Sequence, residues 1–146
     1  MLHADLLSMP VVSCGMKSCL VLLDDFSKYA RCLPLAHKND TKTVLITWLP
    51  WYERQKGNKL KVFRSDRGGE FLNSVVDELF MGMGVEIEPS PPYTPQANGA
   101  AERVNPSLID RVRAIAFHGG FKATDWVYLL AQNLSLIHIS EPTRPY

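Results

Sequence analysis

Apolar and polar positions alternate along the chain with two periods, and the switches between them divide it into strands and helices. Leu2–Leu7 is apolar apart from His3 and Asp5 and reads as a short strand. Ser13–Ser18 carries Gly15 and reads as a turn. Cys19–Leu23 is a continuous apolar run, the pattern of a strand buried on both faces. Asp24–Lys28 is a polar bend and Ala30–Leu35 a returning strand, so the two runs are expected to pair as a hairpin.

From there the period lengthens. Asn39–Asp40–Thr41 is a helix-start signal, and the helix behind it places Val44, Leu45, Trp48 and Tyr52 on one face. Pro50 lacks a backbone donor and clashes with the preceding turn, so it predicts a kink or an early stop. Gly57–Asn58 is a turn and Leu60–Ser65 the next strand. A helix follows from Ser74 to Met83 with Gly84 as its stop, then a short strand, Val85–Glu88. Pro89–Asn98 is a proline-rich loop, and a long helix is expected from Gly99 to Phe117, ended by Gly119–Gly120. Val104, Leu108, Val112 and Ile115 form its buried stripe. Asp125–Gln132, capped by Thr124, is a last short helix. A hairpin, then alternating helix and strand, then helices, gives an α/β domain.

Composition narrows the picture without deciding it. A chain of 146 residues is long enough for one domain with a real core, and 46% hydrophobic with 21% charged is ordinary for a globular protein. A net charge of +1 supplies no global field, so nucleic-acid binding would have to rest on local clusters. Two exist: Lys59, Lys61, Arg64 and Arg67 around the central strand, and Arg103, Arg111 and Arg113 on the long helix. Such clusters are usually solvated faces. Cys14, Cys19 and Cys32 are odd in number and contain no CxxC pair, so they read as buried or idle thiols in a reducing compartment and not as a zinc site. The longest apolar run, Cys19–Leu23, is too short to cross a bilayer, and no signal peptide is visible.

Three acids stand out by position. Asp5 lies within the first strand, Asp66 where Leu60–Ser65 ends, and Glu102 in the first turn of the long helix. At that place the helix macrodipole favours a carboxylate, and Glu102 is offset from the apolar stripe so that it can face a cleft. Converging carboxylates repel one another unless a cation joins them, and hard cations such as Mg²⁺ prefer oxygen ligands. An acid at a strand end is more often a solvated charge, so residue type alone leaves the three undecided.

The surrounding strings are more specific. HADLL at His3–Leu7, DDFSKY at Asp24–Tyr29, RSDRGGEF at Arg64–Phe71 and PPYTPQANGAAERVN at Pro91–Asn105 resemble, in that order, the integrase core of copia-type retrotransposons, a branch of the retroviral integrase family. The resemblance runs from Leu2 to Gln132, and 35 residues separate Asp66 from Glu102, the spacing of the family's Asp, Asp-35-Glu triad. It implies a single ribonuclease H-like domain, a mixed sheet flanked by helices. It implies Asp5, Asp66 and Glu102 as catalytic triad and ligands of two Mg²⁺ or Mn²⁺ ions. It also implies a metal-dependent polynucleotidyl transferase that processes DNA 3′ ends and joins them to target DNA.

Tyr93, Gln96 and Asn98 stand where relatives contact DNA, and Arg67 and Arg103 are candidates for backbone phosphates; as a plain surface loop, the same segment would only pack its tyrosine. Element-end and target DNA, a homo-oligomer of the full-length protein, and a polyprotein shared with reverse transcriptase are the partners implied. Nucleus and cytoplasmic virus-like particle are the implied locations. No Ser/His or Cys/His nucleophile arrangement competes with this reading.

Departures keep an alternative open, a catalytically inactive remnant or domesticated nucleic-acid-binding domain of the same fold. Relatives usually have Asn where Arg67 stands, and commonly Arg where Pro106 stands. Proline four residues after Glu102 would clash with the Glu102 carbonyl, at a cost of roughly 3 kcal/mol in a helix interior, and would tilt Glu102 from the site. The family's zinc-binding N-terminal domain and C-terminal DNA-binding domain are not in this sequence. Leu134–Tyr146, LSLIHISEPTRPY, reads as a non-native, adapter-derived tail; the domain is expected to span residues 1–133, truncated from a longer protein.

Overall fold

The computed structural model describes residues 1–66, 71, 74–89 and 95–130, with the backbone alone for 74–75 and 95–104. Its strands are β1 (Leu2–Ser13), β2 (Met16–Asp24), β3 (Ala30–Leu35), β4 (Val62–Ser65) and β5 (Glu86–Pro89). Its main helices are α1 (Thr41–Lys56), α2 (Ser74–Met83) and α3 (Pro95–Gly119). A 3₁₀ turn, Ala123–Asp125, leads into helical backbone at residues 126–130. The five strands form one sheet in the order β3-β2-β1-β4-β5. β1, β2 and β3 are an antiparallel meander, whereas β4 and β5 run parallel to β1. This is the mixed sheet flanked by helices that the strings imply.

β1 is longer than the apolar run that announces it. Its ladder with β2 runs from Leu2↔Asp24 to Ser8↔Ser18, then breaks register before Ser13↔Met16. Cys14 and Gly15 turn the chain with φ of 49° and 80°, the left-handed pair that a two-residue hairpin demands. Polar Ser8 and Ser13 hide this continuation from a reading of hydrophobicity.

Side-chain alternation sorts the sheet into two faces. Leu2, Ala4, Leu20, Leu22, Leu35 and Phe63 face α1 and α2, against Leu45, Leu49, Phe71 and Phe80. Cys19, Val21, Leu23 and Cys32 face α3 and the last helix, against Leu108, Val112, Trp126 and Leu130. Trp126 Nε1 donates to the Val11 carbonyl at 2.7 Å, tying the chain's end to the irregular half of β1. Cys19 and Cys32 are buried as expected and face each other across β2 and β3 with Cα atoms 6.0 Å apart, within disulfide range; Cys14 is an exposed free thiol.

Both helix-interior prolines are accommodated. α1 passes through Pro50 to Lys56 and stops at Gly57, whose φ is 68°. Pro50 and Ile46 are both exposed, so the carbonyl deprived of its donor sits on the wet face. α3 likewise passes through exposed Pro106 without ending. α3 also starts at Pro95, four residues before the expected Gly99, because proline is well suited to a first helical position. At the end of the chain, Asp125 and not Thr124 supplies the cap: its carboxylate accepts the Lys122 backbone N–H at 3.0 Å. No helix among the described residues is long and apolar enough to cross a membrane.

Candidate active site

The parallel register of β1 and β4 places the first two acids. Leu2 pairs with Phe63, His3 with Arg64 and Ala4 with Ser65. One step further in the same register, Asp5 and Asp66 are side by side. Leu2, Ala4 and Phe63 belong to the α1/α2 face, so by alternation Asp5 and Asp66 share the face that α3 covers. Across β2, Asp5 pairs with Val21, which is part of the α3-side core. A buried strand centre and a strand end thus deliver two half-buried carboxylates to one spot under a helix.

Asp5 is engaged on both oxygens. Oδ1 accepts the Leu6 backbone N–H at 2.8 Å, and Oδ2 accepts Nδ2 of Asn105 at 2.6 Å. Asn105 reaches down from α3, three residues after Glu102. Residues three apart share a helix face about 4.5 Å apart along the axis, so α3 presents Glu102's position one turn above the Asp5–Asn105 contact. The Glu102 side chain is outside those described. The helix position itself needs correcting: with α3 starting at Pro95, Glu102 lies two turns in, beyond the reach of the N-terminal macrodipole. The apolar stripe that seats α3 on the sheet, Leu108 and Val112 with Ile115 beside them, positions Asn105 and Glu102 instead.

Oδ1 of Asn105 is buried and has no hydrogen-bond partner among the described residues. Two adjacent carboxylates and an orphaned amide oxygen make an all-oxygen donor set, which fits a hard divalent cation. Among the residues whose side chains are described, no three His, Cys, Asp or Glu side chains group as a metal site; the third acid, Glu102, is not among them. Arg67 and Tyr93 lie outside the described residues, and Gln96, Asn98 and Arg103 are placed in α3 by backbone only. Asn105 was missed in reading the sequence, although its spacing from Glu102 signalled a shared face. The basic cluster of the central strand is split: Arg64 Nε donates to Glu88 on β5 at 3.2 Å, while Lys59 and Lys61 precede the other end of β4.

Comparisons with known proteins show the family and the fold. The model described as "Integrase core domain" matches residues 1–95. The chain belongs to the integrase core domain family. Within it, the relatives include plant retrotransposon polyproteins, so this is a copia-type integrase core. It is 29% identical over 138 residues to the retrovirus-related Pol polyprotein from transposon RE1 of Arabidopsis thaliana, covering 94% of the chain and 9% of that protein. It is 35% identical over 101 residues to the corresponding polyprotein from transposon TNT 1-94 of Nicotiana tabacum, covering 69% of the chain and 8% of that protein. The chain therefore spans about a tenth of these relatives' length. The catalytic core domain of BIV integrase superposes with a TM-score of 0.70 at 18% identity, over 98% of this chain and 86% of that one. A chain of the simian T-cell lymphotropic virus intasome superposes with a TM-score of 0.76 at 16% identity, over 98% of this chain and 49% of that one. The fold of the integrase core is thus ribonuclease H-like.

Proposed function

We propose that this integrase core is a metal-dependent polynucleotidyl transferase that trims the 3′ ends of its element's DNA and joins them to target DNA. The observation that carries the proposal is the 2.6 Å hydrogen bond from Asn105 of α3 to Asp5, beside a parallel β1–β4 register whose last pair, Ala4↔Ser65, immediately precedes Asp5 and Asp66. Asp5, Asp66 and Glu102 would hold two Mg²⁺ or Mn²⁺ ions. When bound, such ions activate an attacking oxygen and stabilise the leaving oxygen of an in-line phosphoryl displacement. The chain's own part is positioning. Asn105 fixes the Asp5 carboxylate, β4 delivers Asp66 at its end, and α3 carries Glu102 over both.

Tyr93, Gln96, Asn98, Arg67 and Arg103 are proposed to contact DNA, the arginines through backbone phosphates, which position DNA without reading its sequence. The proposed partners are element-end and target DNA and further copies of the full-length protein, released from a polyprotein with reverse transcriptase. Virus-like particle and nucleus are the proposed sites of action. Arg67 and Pro106 favour a second reading, an inactive nucleic-acid-binding remnant.

A joining assay separates the two. A short element-end duplex and plasmid DNA are incubated with Mg²⁺ or Mn²⁺ and the chain lacking Leu134–Tyr146, beside Asp66→Asn. Joining that disappears with Asp66→Asn is the expected result. No joining, with metal binding equal in both proteins, would establish the remnant. No joining, with metal binding lost only in the variant, would mean an intact site that needs domains beyond this chain.

A further inference from the structure

A second basic site lies at the opposite end of the sheet. The β2–β3 bend, the end of α1 and the segment leading into β4 enclose a cavity of about 440 Å³. Its floor is a closed network. Buried Asp24 accepts Lys56 Nζ at 2.6 Å, the Ser27 backbone N–H at 3.1 Å and the Ser27 hydroxyl. Lys56 thereby spends its charge on Asp24, and from the last turn of α1 it also offsets the negative end of that helix. Of the other nearby acids two are engaged, and Glu86, whose backbone N–H donates to the Lys61 carbonyl at 2.9 Å, is exposed. Asp25 is held by Lys28 at 3.0 Å, and Glu53 accepts the Leu60 N–H at 2.7 Å.

Among the described residues, Lys59 and Lys61 are in no ion pair. They flank buried Leu60, both are exposed, and both line the cavity. Beside them stands Phe26, 95% exposed and lining the same cavity. Two exposed ammonium groups and a bare aromatic ring lining one cavity match the way single-stranded nucleic acid is held, by phosphate neutralisation and base stacking. Lys61 and Asp66 flank opposite ends of β4, five residues apart or about 16 Å at strand rise, so this site cannot serve the reacting phosphate.

We propose that Lys59, Lys61 and Phe26 form a second nucleic-acid site, which takes the phosphodiester backbone of a single strand on the two lysines and stacks a base on the phenylalanine. The inference rests on nucleic acid being the ligand, as proposed above, and is independent of the metal-dependent reaction. The test is fluorescence anisotropy of the full 146-residue chain with a labelled single strand of about 20 nucleotides, long enough to span both sites, and with its duplex, across a salt series. Lys59→Ala/Lys61→Ala is expected to weaken single-strand binding about tenfold at 0.1 M salt and to flatten the log–log salt slope by about 1.4, or about 0.7 for each lost contact. Phe26→Ala is expected to weaken single-strand binding at least about fivefold with the slope and duplex affinity unchanged. All three residues are exposed, and an unchanged melting temperature verifies folding. A double variant with wild-type affinity and slope overturns the proposal, and so does equal loss of duplex and single strand on Phe26→Ala. Asp66→Asn separates the two readings, since it should abolish joining and leave this binding intact.

Discussion

Asp5 and Asp24 are two carboxylates with opposite assignments, set by their partners. Asp24 is buried at the end of β2. Burial opposes its ionisation, but hydrogen bonds from Lys56, Ser27 and Tyr52 overcome that and hold its carboxyl well below the usual range. A depressed carboxyl contributes stability that is complete above its unfolded value, about pH 4, and is lost as pH falls further toward the folded value. Asp24→Asn is therefore expected to lower the unfolding free energy by about 2 kcal/mol at pH 7, and the gap from wild type should narrow below about pH 4. Urea titrations at the two pH values check this. Asp5, by contrast, accepts a hydrogen bond from the Asn105 amide. Asn105→Ala should weaken Mg²⁺ or Mn²⁺ binding about 10-fold or more while the metal-free protein melts within a few degrees of wild type. Calorimetric titration of the metal, run beside thermal melting, distinguishes loss of position from loss of fold.

At the scale of elements, α3 joins the site to the core. Leu108 is fully buried against the sheet one turn after Asn105. Leu108→Ala should cost about 3 kcal/mol and should also reduce joining, because the same helix carries Asn105 and Glu102. Pro106 is the opposite case, an exposed residue that denies the Glu102 carbonyl a helical donor. Pro106→Ala restores that donor and should raise the unfolding free energy by about 2 kcal/mol in a urea titration. The β2–β3 hairpin and the span of α2 were legible in the sequence, and so were the turns at Gly15, Gly57 and Gly84, all of which adopt positive φ. The start of α3 was not. Proline-rich sequence reads as loop, and only the continuation of helical backbone from Pro95 shows that one of those prolines opens a helix.

For the whole molecule, metal should act as a stabilising ligand. Asp5 and Asp66 repel each other without a cation, and binding to the folded state alone shifts the unfolding equilibrium by mass action. Thermal melting should therefore rise with Mg²⁺ or Mn²⁺ in wild type. In Asp66→Asn it should start higher and respond little. A wild-type melting temperature indifferent to either metal would count against the proposed site.

The sequence by itself determined the alternation of strands and helices and nominated the three acids, because periodicity and short motifs are local properties of a chain. Tertiary structure decided how those pieces meet. Only the parallel register of β1 and β4 sets Asp5 beside Asp66 across 60 intervening residues, and only the seating of α3 brings Asn105 to Asp5. It also divided one run of basic residues between a β5 ion pair and a separate cavity. Register and helix packing are settled by long-range burial, which no local window of sequence contains.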